Sequence, residues 1–208
     1  MIQPSLKDIG RGFSNPTICS QAVFRQSLVA LSLPGQPQTL DQNLSNPAMQ
    51  VPENAHAAAA ALLLAILDQD CKVWLSDGFA SSHAGAWLRF HTGCTLVTHS
   101  IEADFVWVAN PNEIPAFENL AQGDAQYPEL SATCVVQVMG FDTTPTADAW
   151  TLSGPGINGS SPLKMVGLPQ NFVPARRNSQ VHAPCGIDFF FTHNNSLIGL
   201  PRSTQVKD

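Results

Sequence analysis

Residues 54–75 read NAHAAAAALLLAILDQDCKVWL. Asn54 stands where a helix N-cap belongs, and the segment predicts a helix from about Asn54 to Asp68. Its body is apolar on almost every side, so it is expected to be buried broadly rather than along one stripe. Lys72 to Leu75 then predicts a short strand. A helix of this length feeding a strand marks an α/β fold. The apolar run Ala57–Leu67 spans 11 residues, well short of the ~20 that a bilayer requires, which also predicts a buried helix.

The same pattern extends in both directions. Upstream, Pro16 is suited to a first helical turn, because its missing N–H is one that such a turn leaves unpaired. Ile18, Ala22, Leu28 and Leu31 follow near helical spacing over Thr17 to Leu31, and Pro34-Gly35 ends the segment. Residues 1–15, with Gly10, Gly12 and Asn15, read as a loose leader to one domain over 16–208. Downstream, a helix is predicted at Ala84 to His91 and a short one at Pro115 to Gln122. Strands are predicted at Phe105 to Ala109, Thr133 to Met139, Trp150 to Ser153 and Ile187 to Thr192. Residues 154–184, rich in Gly, Pro and Ser, are expected to be largely loop. The run Phe189-Phe190-Phe191 suggests a strand buried on both faces. Leu197 to Leu200 pairs with it as a hairpin across His193-Asn194-Asn195-Ser196. The expected architecture is one mixed sheet with helices on both faces.

Composition narrows the function classes. Charged residues are 12% of the 208, about half the usual share. A surface so poor in ions is less costly to cover, which favours a subunit that buries much of itself in partners. The net charge is −6 and Arg176-Arg177 is the one adjacent basic pair, so nucleic-acid binding is disfavoured. No polybasic amphipathic segment suggests a membrane surface. The five cysteines are widely spaced without C-x-x-C, and no basic region followed by an apolar core opens the chain. Both features point to a reducing cytoplasm.

The motifs that would announce catalysis are thin. The six histidines show neither an i, i+4 pair nor H-E-x-x-H, so no metal site is expected. Gly154-Pro155-Gly156-Ile157-Asn158-Gly159 matches G-x-G-x-x-G, but Pro162 and Pro169 interrupt the helix a dinucleotide site needs and no acidic residue follows at the required distance. Serine chemistry would show G-x-S-x-G, which is absent. Cys94, near Arg89 and His91, is the least unfavourable reactive thiol and reads better as buried filler. Of four lysines only Lys164 is placed as a Schiff-base lysine could be. The candidate polar residues are Arg25, Arg89, His91, Asp188 and Arg202. The arginines could hold a phosphate or phosphonate, or pair with Asp70, Asp188 or a partner chain. Asp188, beside a buried strand, needs a donor, and Arg202 across the hairpin is the natural one.

Six segments stand in order along the chain: Phe24-Arg25-x-x-Leu28-x-Ala30-x-Ser32-x-Pro34-Gly35, Leu62 to Asp70 with Val73-Trp74-Leu75-Ser76, Leu88-Arg89-Phe90-His91-Thr92, Leu152 to Ile157, Gly186-Ile187-Asp188, and Ile198 to Val206. Together they resemble the PhnH family of the bacterial carbon–phosphorus lyase system. The resemblance implies an α/β fold related to the large domain of pyridoxal-phosphate transferases, without the cofactor. It implies a cytoplasmic homodimer that joins PhnG, PhnI and PhnJ in a core complex. There, with PhnL also required, PhnI replaces the adenine of ATP by an alkylphosphonate, and the iron–sulfur radical subunit PhnJ later breaks the C–P bond. No cofactor, metal or catalytic residue is implied for this chain. Gln205 stands where some members have His. The rival reading is an independent transferase using pyridoxal phosphate or a nucleotide.

Overall fold

A computed structural model describes residues 9–41, 49–179 and 184–207. The helices are α1 (Pro16–Ser32), α2 (Ala57–Ile66), α3 (Asp77–Ala80), α4 (Ala84–Thr92) and α5 (Phe172–Ser179). The strands are β1 (Gln38–Thr39), β2 (Lys72–Leu75), β3 (Thr95–Leu96), β4 (Phe105–Val108), β5 (Thr133–Gln137), β6 (Gly140–Asp142), β7 (Trp150–Ser153), β8 (Ser161–Val166), β9 (Asp188–His193), β10 (Ser196–Leu200) and β11 (Gln205–Lys207).

The main sheet has the order β1-β10-β9-β5-β4-β2-β3. From β3 to β9 the neighbours are parallel, and β10 runs against β9 through the expected hairpin. Side chains alternate across it as the pleat requires. Val73, Trp107, Val135, Phe190 and Leu197 face a core shared with α1, α2, α3 and α4. Val106, Val108, Cys134, Val136, Phe189, Phe191, Ile198 and Leu200 face a second core. The triple phenylalanine is therefore buried on both faces, as a strand inside a parallel sheet should be.

That second core corrects the expectation of a single sheet. β11, β7, β8 and β6 form a separate antiparallel sheet, and Leu152, Leu163 and Val206 from it pack with Phe172 and Val173 of α5 against the main sheet. Residues 154–184 are accordingly less of a loop than their composition suggests. Pro162 falls where β8 pairs with β7 beyond the end of β6, so its missing N–H breaks no ladder bond on the open side. Pro174 falls in the first turn of α5, where N–H groups are unpaired anyway.

Two helix assignments also change. α2 starts at Ala57 behind His56, not behind Asn54, which sits at φ 63°, a left-handed conformation that asparagine tolerates. Pro115 to Gln122 yields only the 3-10 turn Phe117–Asn119. Its end instead pairs with a later stretch of the same chain, the Ala132 N–H donating to the Ala121 carbonyl at 2.8 Å and Gln122 bridging Ser131. Of the expected leader, residues 9–15 are described: Ile9 and Phe13 pack against the helical core, and Asn15 caps α1 through the Ile18 N–H at 3.2 Å. Among the described residues no helix is long and apolar enough to cross a membrane.

Candidate functional site

The parallel strands end along one rim of the main sheet, which is where open α/β sheets bind ligands. There the carboxyl ends of β4, β5 and β9 meet the start of α2 around a cleft of about 400 Å³. Its polar lining is Asn54, His56, Asn110, Asn112, Gln137 and His193.

Gln137, the last residue of β5, is 5% exposed. Its Oε1 accepts the backbone N–H of His56, and its Nε2 donates to the Asn54 carbonyl at 2.8 Å. One buried carboxamide thus clamps the lead-in of α2 onto the sheet. His56 Nδ1 lies 2.9 Å from the Thr192 carbonyl oxygen. A carbonyl only accepts, so that nitrogen carries the proton and Nε2 keeps a lone pair. His193 is fixed the same way, with Nδ1 3.3 Å from the Val138 carbonyl and Nε2 3.1 Å from the Asn194 amide. The two imidazoles meet edge to face at 5.6 Å. Asn110, just past β4, accepts the Asn112 N–H at 3.0 Å and its side-chain amide at 3.2 Å.

Burial lowers the pKa of His56; the bond to Thr192 opposes this, and His193 adds a smaller downward push. In the unfolded chain His56 takes its proton near its ordinary value of about 6.5, whereas the fold defers that uptake to lower pH. Above this value the group contributes no pH dependence. Below it the unfolded state binds the extra proton, so stability falls until the folded pKa is reached. The melting temperature is expected to be lower at pH 5.5 than at pH 7.5, with a smaller difference in His56→Gln. Identical pH slopes for the two proteins would remove His56 as the cause.

None of the five residues singled out in the sequence lines this cleft. Asp188 and Arg202 do meet, at the opposite rim, where β9 begins. Arg202 Nη2 and Nε reach Asp188 Oδ2 at 2.5 and 3.1 Å, and the Arg202 backbone N–H donates to Oδ1 at 2.6 Å. Arg202 Nη1 also donates to the Pro128 carbonyl. The side chains are about one-fifth exposed, which places the pair between surface and interior. Arg202→Met is expected to cost about 1–3 kcal/mol by urea unfolding; no change would show the pair to be energetically idle. Arg25 and Arg89 are exposed on α1 and α4. His91 lies against Trp87 and Phe90, with Nε2 2.9 Å from the Gly10 carbonyl. It ties the segment before α1 to α4.

The family model of PhnH, the bacterial phosphonate metabolism protein, matches residues 11–207. The chain belongs to the PhnH family. It is 29% identical over 195 residues, 94% of each chain, to the alpha-D-ribose 1-methylphosphonate 5-triphosphate synthase subunit PhnH of Rhizobium meliloti (strain 1021). It is 25% identical over 186 residues, 89% of this chain and 85% of the relative, to HtxG of Stutzerimonas stutzeri, provisionally named a C-P lyase subunit protein.

Within this PhnH-family chain the other motifs are structural. Gly154, Gly156 and Gly159 all take positive φ and lead into strand β8 rather than a helix, so the dinucleotide reading fails on geometry. A Cβ on Gly156 would stand 2.1 Å from the Ser32 carbonyl oxygen, which explains a glycine there. Lys164 lies on β8, paired with Asp148 at 2.6 Å and away from the cleft. Cys94 is buried, and that burial pushes its thiol pKa up, the reverse of an activated nucleophile. Among the described residues no group of three His, Cys, Asp or Glu converges as metal ligands would.

Sequence reasoning missed His56, Gln137 and His193, and also Arg176. The last was read as half of a basic pair, yet it is 1% exposed.

Proposed function

We propose that this chain is a subunit of a phosphonate-degrading assembly that forms ribose 1-alkylphosphonate 5-triphosphate from ATP and an alkylphosphonate. It works as a homodimer-forming partner of PhnG, PhnI and PhnJ, with PhnL required alongside them, and it has no independent turnover. The observation that carries this reading is the match to the family over nearly the whole chain, together with a relative of equal length named as a subunit of that synthase. The surface agrees with it. Ile18, Phe24, Leu28, Val29 and Leu33, at the outer side and end of α1, are between 37% and 59% exposed, and apolar side chains grouped on one element suit contact with another protein. A cytoplasmic setting belongs to the same reading, and the wide spacing of the five cysteines supports it. The kinship with the large domain of pyridoxal-phosphate transferases belongs to the same reading, and the mixed seven-stranded sheet backed by helices supports it. The rival, an independent transferase, is the weaker reading: among the described residues neither lysine nor arginine lines the cleft.

Co-expression with PhnG, PhnI and PhnJ, followed by affinity capture, tests the proposal. The chain is expected to co-purify stoichiometrically and to be inactive alone toward ATP and methylphosphonate. Failure to co-purify, or turnover by the isolated chain, would sink it.

A further inference from the structure

β3 is the outermost strand of the main sheet and is held to β2 by two register pairs, Lys72 with Thr95 and Val73 with Leu96. So short an edge is a place where a sheet opens first. One step upstream of that ladder two cysteines stand opposite one another, Cys71 and Cys94. The Thr95 N–H donates to the Cys71 carbonyl at 2.9 Å, so the chains are already bonded at this level. They stay together further back, where a Cβ on Gly93 would stand 3.4 Å from the Gln69 Cβ.

The pleat turns both thiols to the same side. Cys71 shares the face of Val73, and Cys94 shares the face of Leu96. All four belong to the helical core, with Cys94 buried and Cys71 half-buried at its margin. Neighbouring strands run about 4.8 Å apart, inside the roughly 4.4–6.8 Å that a disulfide spans between Cα atoms. The Cβ atoms must approach to about 3.5–4.5 Å, so closure draws the strand entries together. It also costs the Cys71 thiol its bond to Asp68 Oδ1 at 3.2 Å. A bridge formed under such strain is readily reduced, which suits a reversible bond rather than a permanent one. Cys19, Cys134 and Cys185 stand elsewhere, on α1, on β5 and ahead of β9.

We propose that Cys71 and Cys94 form a site of reversible disulfide formation that staples β3 to β2 under oxidation. The oxidant is a low-molecular-weight disulfide such as oxidised glutathione. The thiolate of Cys71, the more exposed of the two, attacks one sulfur of the reagent and releases one glutathione thiolate. The Cys94 thiolate then attacks the Cys71 sulfur of the mixed disulfide and releases the second. Two electrons pass to the reagent, and the two thiol protons end on the two released glutathiones. Burial pushes the Cys71 thiol up to about 11 and raises that of Cys94 as well. Exchange is therefore slow at neutral pH, and the pair stays reduced until oxidation is sustained.

The purified full-length chain is incubated with oxidised glutathione at mildly alkaline pH, the remaining thiols are alkylated, and the digest is mapped by tandem mass spectrometry. A peptide pair linked through Cys71 and Cys94 is expected, and dithiothreitol is expected to separate it. The bridge closes a loop over the 22 residues between the cysteines, which carry β2, α3 and α4. The oxidised protein is accordingly expected to melt about 5 °C above the reduced one. Cys94→Ala is expected to stop at a glutathione adduct on Cys71 and to show no such rise. Full alkylation of both cysteines after prolonged exposure, a wild-type reaction that halts at the mixed disulfide, a linkage to a different cysteine, or a bridge that fails to raise the melting temperature would each overturn the proposal.

Discussion

Arg176→Met is expected to lower the free energy of unfolding by about 3–5 kcal/mol. Arg176 projects from α5 into the second core and is 1% exposed. Its Nη1 donates to the Ile187 carbonyl at 3.3 Å, and its Nη2 donates to the carbonyls of Pro201 at 2.5 Å and Thr204 at 3.4 Å. The guanidinium also lies 5.6 Å from the centroid of the Phe189 ring. Burial pushes its pKa down to about 10, with Asp188 opposing, so the group remains a cation at neutral pH. Methionine fills the volume but donates nothing, so the bonds to the Ile187, Pro201 and Thr204 carbonyls are all lost. Arg176→Lys is expected to recover only part of the loss, because a single ammonium cannot present a planar fork to separate carbonyls. Urea unfolding of the three proteins measures this. A loss below 1 kcal/mol for the methionine variant would show that Arg176 is not the clasp between α5 and the C-terminal turn.

Gly199→Ala is expected to cost about 3 kcal/mol, at the upper end of what overpacking does. For a chain of this length that corresponds to a melting temperature lower by roughly 6–12 °C. Gly199 lies on β10 under α1, and a Cβ there would stand 2.5 Å from the Ala30 carbonyl oxygen, 2.6 Å from the Ala30 carbonyl carbon and 2.8 Å from the Leu31 nitrogen. All three contacts are helix backbone, so no side chain can rotate away and the helix itself must lift. Gly140→Ala is the control. Its nearest neighbour would be a Val166 methyl at 4.0 Å, and its φ is not in the positive region. Scanning calorimetry on both variants is sufficient. A shift under 2 °C for Gly199→Ala would mean that α1 is not seated tightly on β10.

What could be read from the sequence was whatever leaves a local mark. The helix at Pro16, the helix feeding Lys72 to Leu75 and the phenylalanine hairpin each carry their own periodicity or turn chemistry. The Asp188–Arg202 contact was also accessible, because a carboxylate beside a buried strand must find a donor and the hairpin brings one opposite. The cleft leaves no such mark. His56, Gln137 and His193 are separated by 81 and 56 residues, and only the strand order places them on one rim. Arg176 was hidden for a related reason: its partners are carbonyls, which every residue possesses, so nothing in the sequence distinguishes it from its exposed neighbour Arg177. The second sheet was obscured by composition, since glycines and prolines that punctuate short antiparallel strands resemble those of a loop.

The seating of α1 on β10 has a kinetic meaning. Ala30 and Gly199 touch across 169 residues of sequence, and a contact of such separation must meet its loop-closure entropy before packing rewards it. The docking of α1 onto β10 is accordingly expected among the slow steps of folding, and until it forms the apolar inner side of the helix stays open to unwanted association.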